Sequence, residues 1–432
     1  MAWDRYGLRK PAERVTEAPA GFAEICPFSP DARDEDVIAA ARFPVAPHHD
    51  ARIGRFEACY VGHVEEGEYR ASGSSGGMVT WVAAELLQTG MVDGVAHVVA
   101  TEGADGTFFR FAVSRSVAAV RSGARSRYFP VDIAEVLDEI RRAPGRYAIV
   151  GVPCFIKAVN LLRENDPVIA ARVTHLLGLF CGHMKSARFV DSFAWQLGVD
   201  RRQVRAVEYR RKDPGRPANW YTAQLTLADG STHAKDWWHL ADGDWGAGYF
   251  MVSACNWCDD VMAETADIAF GDAWVEPYSS DGRGTNVVVV RSASLHDLIG
   301  GAIADGRLTL RQVDAGFVAD TQAAGLRQRR EGLAYRLTWR KRGIRPRKRV
   351  APSRGGIGWR RRRVYRSRAA IARWSHRLAA AARTAQLPWL YTAWARGALS
   401  VYQGLIYARG RTGKVMDRIE RMIDRRDTPD ID

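Results

Sequence analysis

The chain has 432 residues, of which 47% are hydrophobic, and a formal net charge of +14. That length allows two or three domains with ordinary cores, and no stretch approaches the roughly 18 uninterrupted apolar residues of a membrane span. Six cysteines are too few for a disulfide scaffold, and the start Met1-Ala2-Trp3-Asp4-Arg5 lacks an apolar signal core, so a reducing cytoplasmic setting is expected.

Residues 1–45 read as an irregular leader, broken by Pro11, Pro19, Pro27 and Pro30. A strand over 56–62 follows, then the turn Ser72-Gly73-Ser74-Ser75-Gly76-Gly77, an apolar helix over 78–88 and a strand over 92–100. The next predicted elements are a helix over 133–142, a short buried strand over 147–152 and a helix over 155–162. Beyond them come a strand over 174–180 and a helix over 187–197. Strands over 221–227, 266–270 and 286–290 and a helix over 295–304 complete an α/β pattern with α+β elements: a mixed sheet flanked by helices. The tail, 326–432, predicts an Arg-, Gly- and Pro-rich linker over 340–363. Helices are predicted over 364–383 and 389–407, so the fold carries a basic helical C-terminal extension.

The glycine–serine turn runs directly into a helix. Small residues let the backbone approach a ligand, and the free N–H groups with the helix dipole favour a phosphate. The same residues also suit a plain strand-to-helix loop with a serine cap. No Gly-x-Gly-x-x-Gly or P-loop pattern is present.

Cys154 and Cys181 each follow a predicted buried strand, so both should emerge at one edge of the sheet. Cys255 and Cys258, two residues apart, would come from a later loop folding back onto that edge. Four thiolates suit an iron–sulfur cubane or a structural zinc, and buried free thiols are the plain alternative. Cys59, in mid-strand, reads as structural; Cys26 belongs to no spacing pattern.

The ordered series Arg70-Ala71-Ser72-Gly73-Ser74-Ser75-Gly76-Gly77-Met78-Val79-Thr80, Arg125-Ser126-Arg127-Tyr128, Gly151-Val152-Pro153-Cys154 and Leu179-Phe180-Cys181-Gly182 resembles the coenzyme F420 hydrogenase/dehydrogenase beta-subunit family. The resemblance continues through Glu208-Tyr209-Arg210-Arg211-Lys212, Cys255-Asn256-Trp257-Cys258-Asp259-Asp260 and Gly271-Asp272-Ala273-Trp274. It implies an iron–sulfur flavoprotein oxidoreductase, with a flavin-binding part over 46–130 and an iron–sulfur and flavin catalytic part over 131–325. FAD would lie near Ser75, Gly76, Gly77, Val79 and Thr80, with further contacts near Ser126 and Tyr128. One [4Fe-4S] cluster would be held by Cys154, Cys181, Cys255 and Cys258. The implied activity relays electrons between a two-electron substrate or deazaflavin and a one-electron carrier such as ferredoxin. The catalytic proton donor stays unassigned: His183 suits either a place near the cofactors or a hydrogen-bonded structural role, and Lys157 and Arg127 suit either neutralising FAD phosphates or an exposed, solvated role. Outside this resemblance, the competing reading is a zinc-stabilised nucleic-acid-binding or scaffold protein.

Between Leu326 and Arg426 there are 29 Lys or Arg against 4 Asp or Glu, a net of +25 in a chain of +14, which leaves −11 on the remainder. With Trp374, Trp389, Trp394 and Tyr407 interleaved, this tail suits an anionic membrane surface on the cytoplasmic face. An acidic protein partner is the second reading, and nucleic acid is disfavoured because no binding motif accompanies the charge.

Overall fold

The computed structural model describes residues 1–13, 17–103, 105–339, 346–408 and 410–427. An eight-stranded mixed sheet forms its centre. In chain order its strands include β1 (Ala58–Val64), β2 (Gly94–Ala100), β3 (Phe109–Ser114), β4 (Tyr147–Gly151) and β5 (Val173–Leu179). A separate antiparallel sheet of three strands interrupts them: β6 (Val204–Arg211), β7 (Thr222–Leu227) and β8 (Thr232–Asp236). The chain then returns to the large sheet with β9 (Ile268–Asp272), β10 (Asn286–Val290) and β11 (Leu308–Val313), giving the spatial order β11-β1-β10-β9-β5-β4-β2-β3.

Strands β2, β4, β5 and β9 are mutually parallel through successive pairings. Because β10 is antiparallel to both β9 and β1, β1 runs the same way as that group. The carboxyl ends of five strands therefore open onto one edge, which is where open α/β sheets bind ligands. The central position of β10 follows from its sequence: Asn-Val-Val-Val-Val is buried at every residue, as a strand covered on both faces must be.

Helices α1 (Glu35–Arg42), α2 (Met78–Gln88), α3 (Ala134–Arg142) and α4 (Pro153–Asn165) precede the small sheet together with α5 (Arg188–Leu197). The helix α1 lies within the expected irregular leader. Its start is fixed by Asp34, whose side chain accepts the Val37 N–H. After the small sheet come α6 (Ala293–Ala304), α7 (Ala323–Arg329), α8 (Glu331–Leu337), α9 (Trp359–Ala385), α10 (Pro388–Tyr407) and α11 (Gly410–Asp427). Of the predicted linker, 340–345 lies outside the described residues, and α9 starts at Trp359, well inside it.

The C-terminal helices fill a second core beside the small sheet. Val364, Ile371, Ala379 and Ala382 of α9, with Tyr391, Ala395, Tyr402 and Leu405 of α10, pack with Phe189, Phe193, Val207, Tyr209 and Leu225. Three hydrogen bonds tie them down. Tyr391 Oη donates to Asp242 (2.8 Å), Tyr249 Oη to the Ala395 carbonyl (2.7 Å), and the Phe250 N–H to Ser375 Oγ (2.8 Å). Part of the tail's charge also turns inward. Lys348 pairs with Asp259, and Arg349 with Glu264, both among nearly fully buried side chains.

Candidate cofactor site

The carboxyl end of β1 leads into the glycine–serine turn. Gly77 adopts φ +89°, and a Cβ there would sit 2.6 Å from the Tyr69 carbonyl, so only glycine fits. At Gly76 a Cβ would meet the Gly62 carbonyl at 2.8 Å and Asn286 at 2.9 Å. The helix α2 is capped by Gly77 with no side-chain bond, which replaces the serine cap allowed by the sequence. Asn286 supplies the partner instead, accepting the Met78 N–H at 3.1 Å. Val79 and Thr80 sit half-buried in the first turn of α2.

Three long-range contacts hold this turn. Lys212 Nζ donates to the carbonyls of Arg70 (2.6 Å), Ser75 (2.8 Å) and Arg283 (2.7 Å), clamping the turn to the loop before β10. Burial, with Arg70 and Arg210 nearby, lowers the Lys212 ammonium to about 8. Ser75 Oγ donates to the Thr285 carbonyl at 2.9 Å. The Ser126 N–H donates to Ser74 Oγ at 2.8 Å, so Ser126 meets the turn from 52 residues away. Next to it, Tyr128 packs in an aromatic group with Tyr209, Trp237 and Trp245. A cavity of about 360 Å³ opens beside the turn, where Ser72, Arg121, Arg125 and Arg127 face Phe109 and Glu208. The Arg127 guanidinium lies 5.0 Å over the Phe109 ring, and its Nε has no hydrogen-bond partner among the described residues. Lys157, by contrast, is buried and paired with Glu35 at 3.2 Å.

The cysteines gather at the same edge. Cys181 follows β5 directly, while Cys154 sits in the first turn of α4, one residue past Pro153, and so is helical and not a loop residue. The adjacent parallel strands β4 and β5 bring the two together. The later segment folds back as the sequence expects: the Cys181 N–H donates to the Val261 carbonyl at 2.9 Å. The Cys154 thiol lies within electrostatic reach of the other three, and Cys181 within reach of Cys255 and Cys258. Burial first, and then the thiols of Cys258, Cys181 and Cys255, push the Cys154 thiol well above its ordinary range. Burial also lifts Cys258, to about 11. Cys255 Sγ accepts the Met184 N–H at 3.4 Å. Cys59 is buried on β1, and Cys26 is half-buried at the end of the short helix Phe22–Ile25.

Among the described residues no three His, Cys, Asp or Glu side chains converge on a single metal-ion position. A lone zinc with bonds of about 2.3 Å draws its four thiolates to roughly 3.8 Å of each other, whereas a cubane spreads them around four irons. Four cysteine thiolates are the donor set that a cubane takes, and a structural zinc takes the same set.

Sequence reasoning missed the arginines around these thiols. Arg329, 2% exposed at the end of α7, donates to the carbonyls of Cys255 (3.0 Å), Cys258 (3.3 Å), Cys181 (3.2 Å) and Gly182 (2.6 Å). Arg336 Nε donates to the Asn256 carbonyl at 2.8 Å. Arg368 of α9 reaches the Gly246 carbonyl at 2.7 Å and His183 Nδ1 at 3.3 Å. His183 itself stacks on Trp245 with centroids 4.1 Å apart. Burial, then Lys185 and Arg368, drives it well below its ordinary pKa, and its Nε2 has no hydrogen-bond partner among the described residues. Lys185 is fully buried, donates to the Tyr249 carbonyl at 2.7 Å and lies 4.8 Å over Trp245. Its ammonium is lowered to about 7 by burial.

The arrangement defines a class: an α/β protein that gathers a small-residue turn and clustered thiols at the carboxyl edge of a mixed sheet. Two family profiles match in chain order. The one for the N-terminal part of the coenzyme F420 hydrogenase/dehydrogenase beta subunit matches residues 59–138, and the one for the C terminus of that beta subunit matches residues 145–316. The chain belongs to the coenzyme F420 hydrogenase/dehydrogenase beta-subunit family, a family of oxidoreductases. Thirteen chains of solved structures resemble it. One comes from a xenon-derivatised F420-reducing [NiFe] hydrogenase complex of Methanosarcina barkeri. It has a TM-score of 0.52 and 17% identity, and covers 69% of this chain and 98% of that one. No curated protein matches significantly.

Proposed function

We propose that this chain is an iron–sulfur flavoprotein oxidoreductase that relays electrons through FAD and one [4Fe-4S] cluster between a two-electron substrate or deazaflavin and a one-electron carrier such as ferredoxin. The observation that carries the reading is the meeting of the glycine–serine turn, Ser126 and four cysteines from three segments at one sheet edge. Flavin chemistry exchanges a hydride for single electrons, and a cluster handles one electron at a time. The chain's residues do the holding. Gly76 and Gly77 let the backbone approach FAD, and the α2 N-terminus with Arg127 faces its phosphates, while Arg125, ion-paired with Glu208, borders the same cavity. Tyr128 and Trp245 keep water from the interior side. Cys154, Cys181, Cys255 and Cys258 hold the cluster, and the Met184 N–H stabilises the Cys255 sulfur. Replacing Cys255 with Ser should remove the broad cluster absorption from anaerobically purified protein and spare the flavin bands. Retention of both would reject the assignment.

For partners, the hydrogenase complex whose subunit shares this fold supports work beside other subunits. A membrane surface is the second contact we propose. Among the described residues no helix is long and apolar enough to cross a membrane, but residues 346–408 hold 14 Lys or Arg and no Asp or Glu. The outward faces of α9 and α10 expose Trp374 (43%), Trp389 (61%), Leu390 (36%) and Tyr407 (53%), an apolar strip beside arginines that suits headgroup depth. Trp389→Glu should abolish sedimentation with anionic vesicles. Undiminished sedimentation would rule out this face, and equal binding to zwitterionic vesicles would rule out the charge.

A further inference from the structure

We propose that Arg329 is a positioning residue for the iron–sulfur centre, and that its fixed positive charge raises that centre's reduction potential. The proposal rests on the cluster reading of the four cysteines.

Arg329 lies beyond residue 316, where the family match ends, so the feature belongs to this chain's C-terminal part. Its two terminal nitrogens each take two carbonyls, and the four carbonyls come from both the Cys181 loop and the Cys255–Cys258 segment. One rigid planar fork therefore fixes three of the four cysteines relative to one another, a task that a flexible ammonium performs less well.

The charge itself needs an explanation. Among the described residues no carboxylate lies within ion-pair distance of Arg329, although the side chain is almost wholly removed from water. Burying a guanidinium is costly, and carbonyl dipoles offset only part of that cost. The groups beside it that could complete the compensation are the sulfurs of Cys181, Cys255 and Cys258, whose own carbonyls it holds, once they are thiolates on a cluster. Arg336, 1% exposed, repeats the pattern on the next helix. It binds the Asn256 carbonyl with Nε and the Gln328 carbonyl with Nη2, and its Nη1 has no hydrogen-bond partner among the described residues. Asp259 and Asp260 also lie near Cys258, and Lys348 pairs with Asp259; the two guanidiniums, neither of them in an ion pair among the described residues, are the positive charges left to face the thiol group.

Four thiolates give an iron–sulfur cluster a negative charge that grows by one when it takes up an electron, with no bond made or broken. A fixed cation nearby stabilises the reduced form more than the oxidised one and moves the potential upward. Arg327, exposed on the same helix, carries the same formal charge away from the thiols.

The test uses the full chain, purified and reconstituted anaerobically, with iron per chain measured beside a spectroscopic redox titration. Arg329→Met should shift the cluster's reduction equilibrium at least tenfold toward the oxidised form, 59 mV for one electron. Arg329→Lys should recover most of that shift, and Arg327→Met should leave the potential unchanged. A cluster-bearing Arg329→Met protein with the wild-type potential would overturn the proposal. Should Arg329→Met take up no iron, the lysine variant decides. Restored iron and potential support the charge, whereas uptake no better than in the methionine variant overturns it. Wild-type protein that takes up no iron would instead refute the cluster reading itself.

Discussion

Single residues set much of this site's behaviour. Gly77 is the sharpest case: at its φ of +89°, any Cβ would stand 2.6 Å from the Tyr69 backbone, which leaves no room for a side chain. Gly77→Ala should cost about 1–3 kcal/mol in thermal stability and abolish flavin retention on gel filtration, since the turn must shift to admit the methyl group. Full retention would show that the turn is not the flavin's seat. His97 sets a pH limit of a different kind. Its Nε2 lies 2.8 Å from Ser114 Oγ, and burial alone holds its imidazole down to about 4. Unfolded, it takes a proton near 6.5. The folded protein therefore holds this contribution above pH 6.5 and loses roughly 3 kcal/mol of it as pH falls to 4. In urea titrations between pH 7 and pH 4.5, His97→Gln should lose less stability than the wild type. An identical slope would contradict the assignment.

At the scale of elements, the C-terminal hairpin of α9 and α10 is structural as well as basic. Asp242 accepts from Tyr391 Oη, from Ser192 Oγ at 2.6 Å and from Gln196 at 2.9 Å, which makes it the buried anchor of α10. Tyr391→Phe should cost about 1–2 kcal/mol by leaving one bond unmade, and Tyr391→Ala about 3–5 kcal/mol by opening a cavity. Chemical denaturation measures both, and equal costs would show that the ring contributes nothing beyond its hydroxyl bond. Ending the chain at residue 358 should give a protein that binds hydrophobic dyes, because the core around Tyr209 loses Val364, Ile371, Tyr391 and Leu405. A truncated chain with native stability would show that the hairpin is dispensable. Such a truncation therefore cannot isolate membrane contact, and surface changes such as Trp389→Glu are the cleaner probe.

Across the whole molecule, local pattern carried far and long-range partnership did not. Periodicity located α2 at Met78–Gln88 and β10 at Asn286–Val290, because apolar runs bounded by turns need no distant information. The placement of Cys154 and Cys181 at one edge followed from two short buried runs, which pair in parallel. What stayed hidden were groups whose partners lie far along the chain: Lys212 on the turn, Arg329 on the cysteine loops and Asn286 in place of a serine cap. An arginine in a basic run looks solvated until the carbonyls it binds are known, so the inward-facing share of the tail was illegible. The strand β3 was also missed, since Arg110 and Ser114 interrupt its apolar pattern.

The central claim is that the gathered thiols and the glycine–serine turn hold a cluster and a flavin together. Quantifying metal, sulfide and flavin in one anaerobically purified, reconstituted sample tests it most directly. The account predicts about four irons, about four acid-labile sulfides and about one FAD per chain. A colourless protein carrying stoichiometric zinc and no flavin would contradict it.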